Sequence, residues 1–215
     1  MDDVPPAAVL AVAFLAGSVP FSQVGARRLR HVDLREVGSG TVSGTALFEV
    51  AGFVPLAVFG ALEVAKGAVG PWLAGDRPLL GAVAGGAAVV GHNWSPWLGG
   101  AGGRGLSPAI GALLPRYPVG SSLLLAGMAA GRLMGETAVG ALVADALLVP
   151  VLQRTGGRDG RRAALLVVVP MLAKRLAGNR RPDAPHDRVW LWRLLLDRDT
   201  RAPVADSRQS GATVG

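Results

Sequence analysis

From Phe53 to Leu73 the sequence is apolar apart from Glu63 and Lys66, and a run of this length supplies the roughly 20 residues that an α-helix needs to cross a lipid bilayer. Glu63 and Lys66 stand three apart, which sets them on one helical face. Charges at that depth are expensive, so each requires a partner or a cavity: the pair either packs as an intramembrane ion pair or faces a polar substrate cavity. The composition agrees with a membrane setting. Half of the residues are hydrophobic, 17% are charged, and the mean hydropathy is +0.39. There is no cysteine, which excludes disulfides and thiolate metal sites, while 31 glycines favour close helix–helix approach.

Further apolar stretches lie at about 4–26, 79–92, 106–115 and 119–131, then up to about Leu152, and from about Ala163 to Leu176. The fold class this predicts is all-α: a polytopic integral membrane protein of about seven transmembrane helices with re-entrant or polar cytoplasmic loops. The stretches at 106–115 and 119–131 are short for a span, so one is expected to be tilted, half-inserted or embedded in protein. Met1-Asp2-Asp3 lacks the basic start of a cleaved signal peptide, and the acidic N-terminus followed by Arg27, Arg28 and Arg30 places the N-terminus outside. The segment Gln153–Arg162 reads as an outer loop although it carries four arginines. A membrane domain over 1–177 is followed by a tail, 178–215, holding a short interfacial helix at about 187–198 around Trp190 and Trp192 and a disordered end. The net charge of +7 gathers at 27–35 and 174–201, which suits loops facing anionic lipid; no basic face is interleaved with exposed aromatics, so nucleic acid is excluded as a partner.

Two loops carry the chemistry. Gly91-His92-Asn93 opens a segment that ends Gly102-Gly103-Arg104-Gly105, too glycine-rich for a helix interior. Asp33-Leu34-Arg35 runs into Gly38-Ser39-Gly40-Thr41-Val42-Ser43-Gly44-Thr45. Consecutive glycine N–H groups turned toward one point make anion-binding concavities, and an arginine adds a forked charge. No Lys-Ser/Thr pair follows at Walker spacing. With two spans between them, both loops emerge on the same membrane side, and Arg35, Lys66 and Arg104 are expected to converge on one phosphoryl group. Ser18, beside the helix-kinking Pro20, either points a hydroxyl into the bundle or sits at a tolerated kink.

The ordered set Gly17-Ser18, Asp33-Leu34-Arg35, Gly38-Ser39-Gly40, Glu63 to Gly67, Gly91-His92-Asn93 and Gly102-Gly103-Arg104-Gly105 resembles the bacterial acyl-phosphate-dependent glycerol-3-phosphate acyltransferases, the PlsY-like family, over roughly residues 5–177. The resemblance implies a seven-helix enzyme of the bacterial inner membrane, with its active site on the cytoplasmic side, that moves an acyl group from acyl phosphate to the 1-hydroxyl of glycerol 3-phosphate without metal or other cofactor. It implies catalytic roles for His92, Asn93 and Lys66. Phosphate or substrate contacts fall to Ser18, Arg35, Ser39, Gly40, Thr41, Thr45, Gly102, Gly103 and Arg104, and membrane lipids are the other partners. Arg104 stands where the family usually has lysine. Thr41, Ala46 and Glu49 depart from the family's two asparagines and arginine, Pro108 and Ala138 replace hydroxyl residues, and the family's His-x-x-Asn is missing before Lys174. These departures cluster at the acceptor side and leave open a different acceptor, or a non-catalytic paralogue that binds an anionic lipid or a partner enzyme.

Overall fold

The computed structural model describes residues 4–179 and 188–198. Among these, nine α-helices and no strand are present: α1 (Pro6–Ser18), α2 (Phe21–Arg30), α3 (Gly44–Ala51), α4 (Phe53–Leu73), α5 (Pro78–Asn93), α6 (Leu106–Leu113), α7 (Pro118–Leu133), α8 (Thr137–Ala177) and α9 (Val189–Leu196). Three stretches are long and apolar enough to cross a membrane: Pro6–Arg30, Phe53–Leu73 and Thr137–Ala177. The all-α membrane class read from the sequence is the class observed. α6 is the short, embedded element: at about 1.5 Å per residue it covers less than half a bilayer core, and Pro108 through Leu113 are all buried.

The segment 153–162 is corrected by the structure. It is not a loop: helix continues through it, interrupted by Gly157 at φ 59°, a backbone state that only glycine adopts freely. At that residue α8 folds back on itself, because the Arg175 side chain near its C-terminus donates to Ala138 O near its N-terminus at 3.0 Å. The two halves, 137–156 and 158–177, therefore run antiparallel. Arg154, Arg158, Arg161 and Arg162 are exposed at the tip, so they cap a tight helical reversal rather than fill a connecting loop.

Small residues set the packing. A Cβ on Gly17 would fall 2.2 Å from Ala88 O, one on Gly67 2.0 Å from Pro108 O and one on Gly111 1.8 Å from Val64 O. These contacts bring α1 against α5 and α6 against α4 at backbone distance, which a larger residue forbids. The main apolar core lies between α5, α6, α7 and both halves of α8, around Val89, Leu113, Leu124, Leu148, Leu152 and Val167.

Within the stretch expected to hold an interfacial helix lies α9, which folds back onto the end of α8. Arg193 donates to Leu176 O and Ala177 O at 3.1 and 2.7 Å, supplying partners to carbonyls that a helix end leaves open. Trp190 is 56% exposed. The expected disordered end, beyond about Arg201, lies outside the described residues.

Candidate active site

The first span is broken at Gly17-Ser18-Val19-Pro20, between α1 and α2. Pro20 has no N–H to give, and the break frees carbonyls at the end of α1 and amides at the start of α2. The charged pair of α4 answers both. Glu63 Oε1 accepts from Ser22 N at 2.9 Å, and Lys66 Nζ donates to Val19 O at 2.6 Å. A carboxylate thus sits at a helix N-terminus and an ammonium at a helix C-terminus, the favourable sense of both dipoles. Lys66 and Glu63 are 2.6 Å apart with side chains 3% and 2% exposed. His92, at the end of α5, completes the cluster, its Nδ1 3.2 Å from Glu63 Oε2 and 3.1 Å from Lys66 Nζ. The opposite edge of the ring, Nε2, lies against Gly103, where a Cβ would be only 2.1 Å away.

The two glycine loops lie side by side. Val42 N donates to Gly102 O at 3.2 Å and Gly103 N to His92 O at 3.3 Å. Asn179 joins them: its Nδ2 donates to Gly40 O at 2.9 Å and Gly102 O at 2.7 Å, while its Oδ1 accepts from Gly102 N at 3.2 Å. Beside this seam opens a cleft of about 390 Å³ lined by Arg35, Gly40, Trp94, Gly100, Lys174 and Asn179 among others. Lys174 Nζ donates to Gly100 O at 3.1 Å and stands 5.2 Å from the centre of the Trp94 ring, an attractive placement for a cation.

Arg35 reaches the cleft from a hinge. Asp33 accepts from Arg35 Nη2 and from Arg27 Nη2, each at 2.7 Å, and Gln23 of α2 binds both Asp33 Oδ1 and Leu34 N at 2.8 and 2.9 Å. The Arg35 guanidinium holds the Asp33 carboxyl well below the usual carboxylate range, and Asp33 in return raises Arg35. Both stay ionised throughout the physiological range.

The chain and its fold have counterparts among known proteins. The family model for glycerol-3-phosphate acyltransferase matches residues 7–179. The glycerol-3-phosphate acyltransferase of Synechococcus sp. (strain CC9902) is 34% identical over 168 residues, 76% of this chain and 84% of that protein. The chain belongs to the glycerol-3-phosphate acyltransferase family. The enzyme of that name from Parasynechococcus marenigrum (strain WH8102) is 33% identical over 178 residues, covering 80% of this chain and 82% of its own length. The fold is that of PlsY (YgiH), an integral membrane glycerol 3-phosphate acyltransferase. Its glycerol 3-phosphate form superposes with a TM-score of 0.70 at 23% identity, covering 79% of this chain and 88% of that one. Its lysophosphatidic acid form gives 0.67 at 19%, covering 79% and 87%. This chain is thus a membrane acyltransferase of that family.

Within the acyltransferase, the site residues expected from sequence are divided among three places. Arg35 and Gly40 line the cleft, with Gly102 at its seam. Ser39 donates to Thr41 Oγ1 at 2.9 Å, and Thr45 lies half-buried in the first turn of α3, which Ser43 caps by accepting from Ala46 N at 3.2 Å. Lys66 and His92 belong to the buried cluster around Glu63, and Gly103 separates His92 from the loop surface. Ser18 is buried, donating to Leu15 O at 2.7 Å and accepting from Trp97 Nε1 at 2.9 Å. Asn93 braces α5 on α8 by donating to Pro170 O at 2.8 Å.

The expected convergence of Arg35, Lys66 and Arg104 on one cleft is therefore not what the structure has. Lys66 is drawn to the frayed end of α1, and Arg104 turns toward the tail, pairing with Asp197 Oδ1 at 2.5 Å and donating to Lys174 O at 3.1 Å. The cations lining the cleft are Arg35 and Lys174. Sequence reasoning missed Lys174, Asn179 and Trp94; the one signal for Lys174 was that it and Lys66 are the only lysines.

Proposed function

We propose that the cleft holds the phosphoryl groups of an acyl phosphate donor and of glycerol 3-phosphate, and that the acyl group passes to the acceptor's 1-hydroxyl. The observation that carries this reading is the seam of two glycine loops, joined by Asn179, beside a cleft that Arg35 and Lys174 line. In the reaction the hydroxyl oxygen bonds to the acyl carbon, the bond from that carbon to the bridging phosphate oxygen breaks, and inorganic phosphate leaves. Acyl phosphate is already activated, so no covalent enzyme intermediate is required. The displaced proton goes to a phosphate oxygen, because His92 is buried and its Nδ1 is held by Glu63 and Lys66, away from the cleft-lining residues. Two cations and loop amides stabilise charge growing on the leaving phosphate, and holding both substrates together lowers the entropic barrier.

In this reading Glu63, Lys66 and His92 position the Gly102-Gly103 segment, and Arg35, Ser39, Gly40, Thr41, Thr45, Gly102 and Lys174 contact substrate, with Arg104 joining them on release from Asp197. Ser18 and Asn93 hold the scaffold. The cleft opens to the cytoplasmic face of the bacterial inner membrane, which gives it free glycerol 3-phosphate while the acyl chain stays in lipid. Purified protein given acyl phosphate and glycerol 3-phosphate should release phosphate and form a monoacylated product, with a larger loss in Arg104→Ala than in Arg116→Ala, a residue at the other end of the molecule. Equal activities in the two variants would remove this assignment. Activity with another phosphorylated hydroxyl compound, and none with glycerol 3-phosphate, would transfer it to the different acceptor that Glu49 and Ala46 favour.

A further inference from the structure

The tail helix α9 lies beyond the family match, which ends at residue 179, yet it reaches Arg104, one of the two loop arginines expected to grip phosphate. Asp197, in the left-handed conformation that ends α9, places its carboxylate on Arg104 Nε. Arg175 and Arg193 hold the same end of α9 through backbone oxygens of Leu194, Leu176 and Ala177. Arg104 Nη1 meanwhile donates to the backbone oxygen of Lys174, whose side chain lines the cleft, so the seat and the cleft share a wall. A carboxylate paired with a guanidinium has the recognition chemistry of a bound phosphoryl group, since forked N–H donors suit both anions.

The attachment of α9 includes several polar bonds beside its partly buried apolar residues. Besides the Arg193 bonds to the end of α8, Arg175 donates to Leu194 O at 3.1 Å and Arg198 Nη2 pairs with Glu136 Oε1 at 2.6 Å. Burial pushes the Asp197 carboxyl up, against the pull of Arg104, so the docked carboxylate is held at some cost.

We propose that α9 is a self-docked competitor, its Asp197 carboxylate occupying at Arg104 an anion seat that a phosphate group takes when the helix lifts. The inference rests on the reading of Arg104 as a phosphate ligand and adds the control over it. Phosphate in the seat displaces the tail, and a docked tail weakens phosphate binding. The anion is defined by its phosphoryl chemistry, whether it is a substrate headgroup or the released inorganic phosphate.

The chain has no cysteine, so Trp190→Cys, at an exposed position of α9, accepts a single environment-sensitive fluorophore on the full-length protein in detergent. Titration with inorganic phosphate, against chloride at equal ionic strength, should change the fluorescence saturably. Asp197→Asn in that background should bind phosphate at least three-fold more tightly, and Arg198→Gln, which removes the pairing with Glu136, should tighten it in the same direction. Arg104→Ala should abolish the response. Unchanged or weaker phosphate binding in both Asp197→Asn and Arg198→Gln, or an equal response to chloride, would overturn the proposal. A tail that phosphate displaces in a protein forming no acylated product would defeat the reaction proposed above and leave this inference standing; product formed with α9 indifferent to phosphate would do the reverse.

Discussion

Replacing Glu63 by alanine should be among the most damaging single changes in the membrane domain. The carboxylate neutralises Lys66 at 2.6 Å, orients His92 Nδ1 at 3.2 Å and accepts from Ser22 N at 2.9 Å. Its removal leaves a 3%-exposed ammonium without its anion, a change that typically costs about 3–5 kcal/mol. The orphaned amide at the start of α2 adds roughly 1–3 kcal/mol. For a protein of this size each kcal/mol moves the melting temperature by about 2–4 °C, so a drop on the order of 10 °C or more is expected. Substituting both charges, Glu63→Leu with Lys66→Met, removes the uncompensated ammonium and should recover at least half of that loss. Thermal unfolding of the detergent-solubilised wild type, Glu63→Ala and the double variant is the assay. A single variant that melts within about 2 °C of wild type, or a double variant less stable than the single, would refute the claim that this pair stitches the broken span.

Asn179→Ala removes three hydrogen bonds between the glycine loops and should raise KM for the phosphorylated acceptor by about ten-fold or more while shifting the melting temperature little; steady-state kinetics with a parallel melt checks it. Lys174→Met should cut phosphate release by at least about ten-fold, each lost cation–phosphate contact being worth over 1.4 kcal/mol, whereas Arg116→Ala should stay within about two-fold of wild type. Gly111→Val should prevent stable folding, because even a Cβ falls 1.8 Å from Val64 O; expression and size-exclusion profiles report it. The Asp33 hinge, whose carboxyl is depressed by Arg35, contributes stability above the unfolded carboxylate value of about 3.9 and loses it only as pH falls through the lower folded value. Phosphate affinity should therefore be level from pH 8 to about 5 as far as this hinge is concerned, and Asp33→Asn should weaken it across the whole range by releasing Arg35.

The sequence reveals most where the governing forces are local. The start of α4 at Phe53 follows from Gly52, whose φ of 85° separates it from α3, and the i, i+3 spacing alone puts Glu63 beside Lys66. What those charges bind was not readable, because the partners are the backbone ends of a different, broken helix. The reversal at Gly157 was hidden for another reason: four arginines look like a loop, yet arginine is a good helix former and needs only exposure at a helix tip. Arg104 shows the limit most plainly. Its motif argues for phosphate, and a carboxylate 93 residues away in sequence decides where it points. Asn179 sits just past the last span, where polar residues are routine, so nothing local distinguishes it as the bond between two loops.

The most direct test is a crystal structure of the protein soaked with glycerol 3-phosphate. The phosphate should lie in the cleft, within hydrogen-bonding reach of Arg35 and Lys174 and beside the Gly40–Gly102 seam. Phosphate density elsewhere, as in the cavity lined by Asp76, Arg116 and Tyr117 at the other end of the molecule, with the cleft unchanged, would contradict the account.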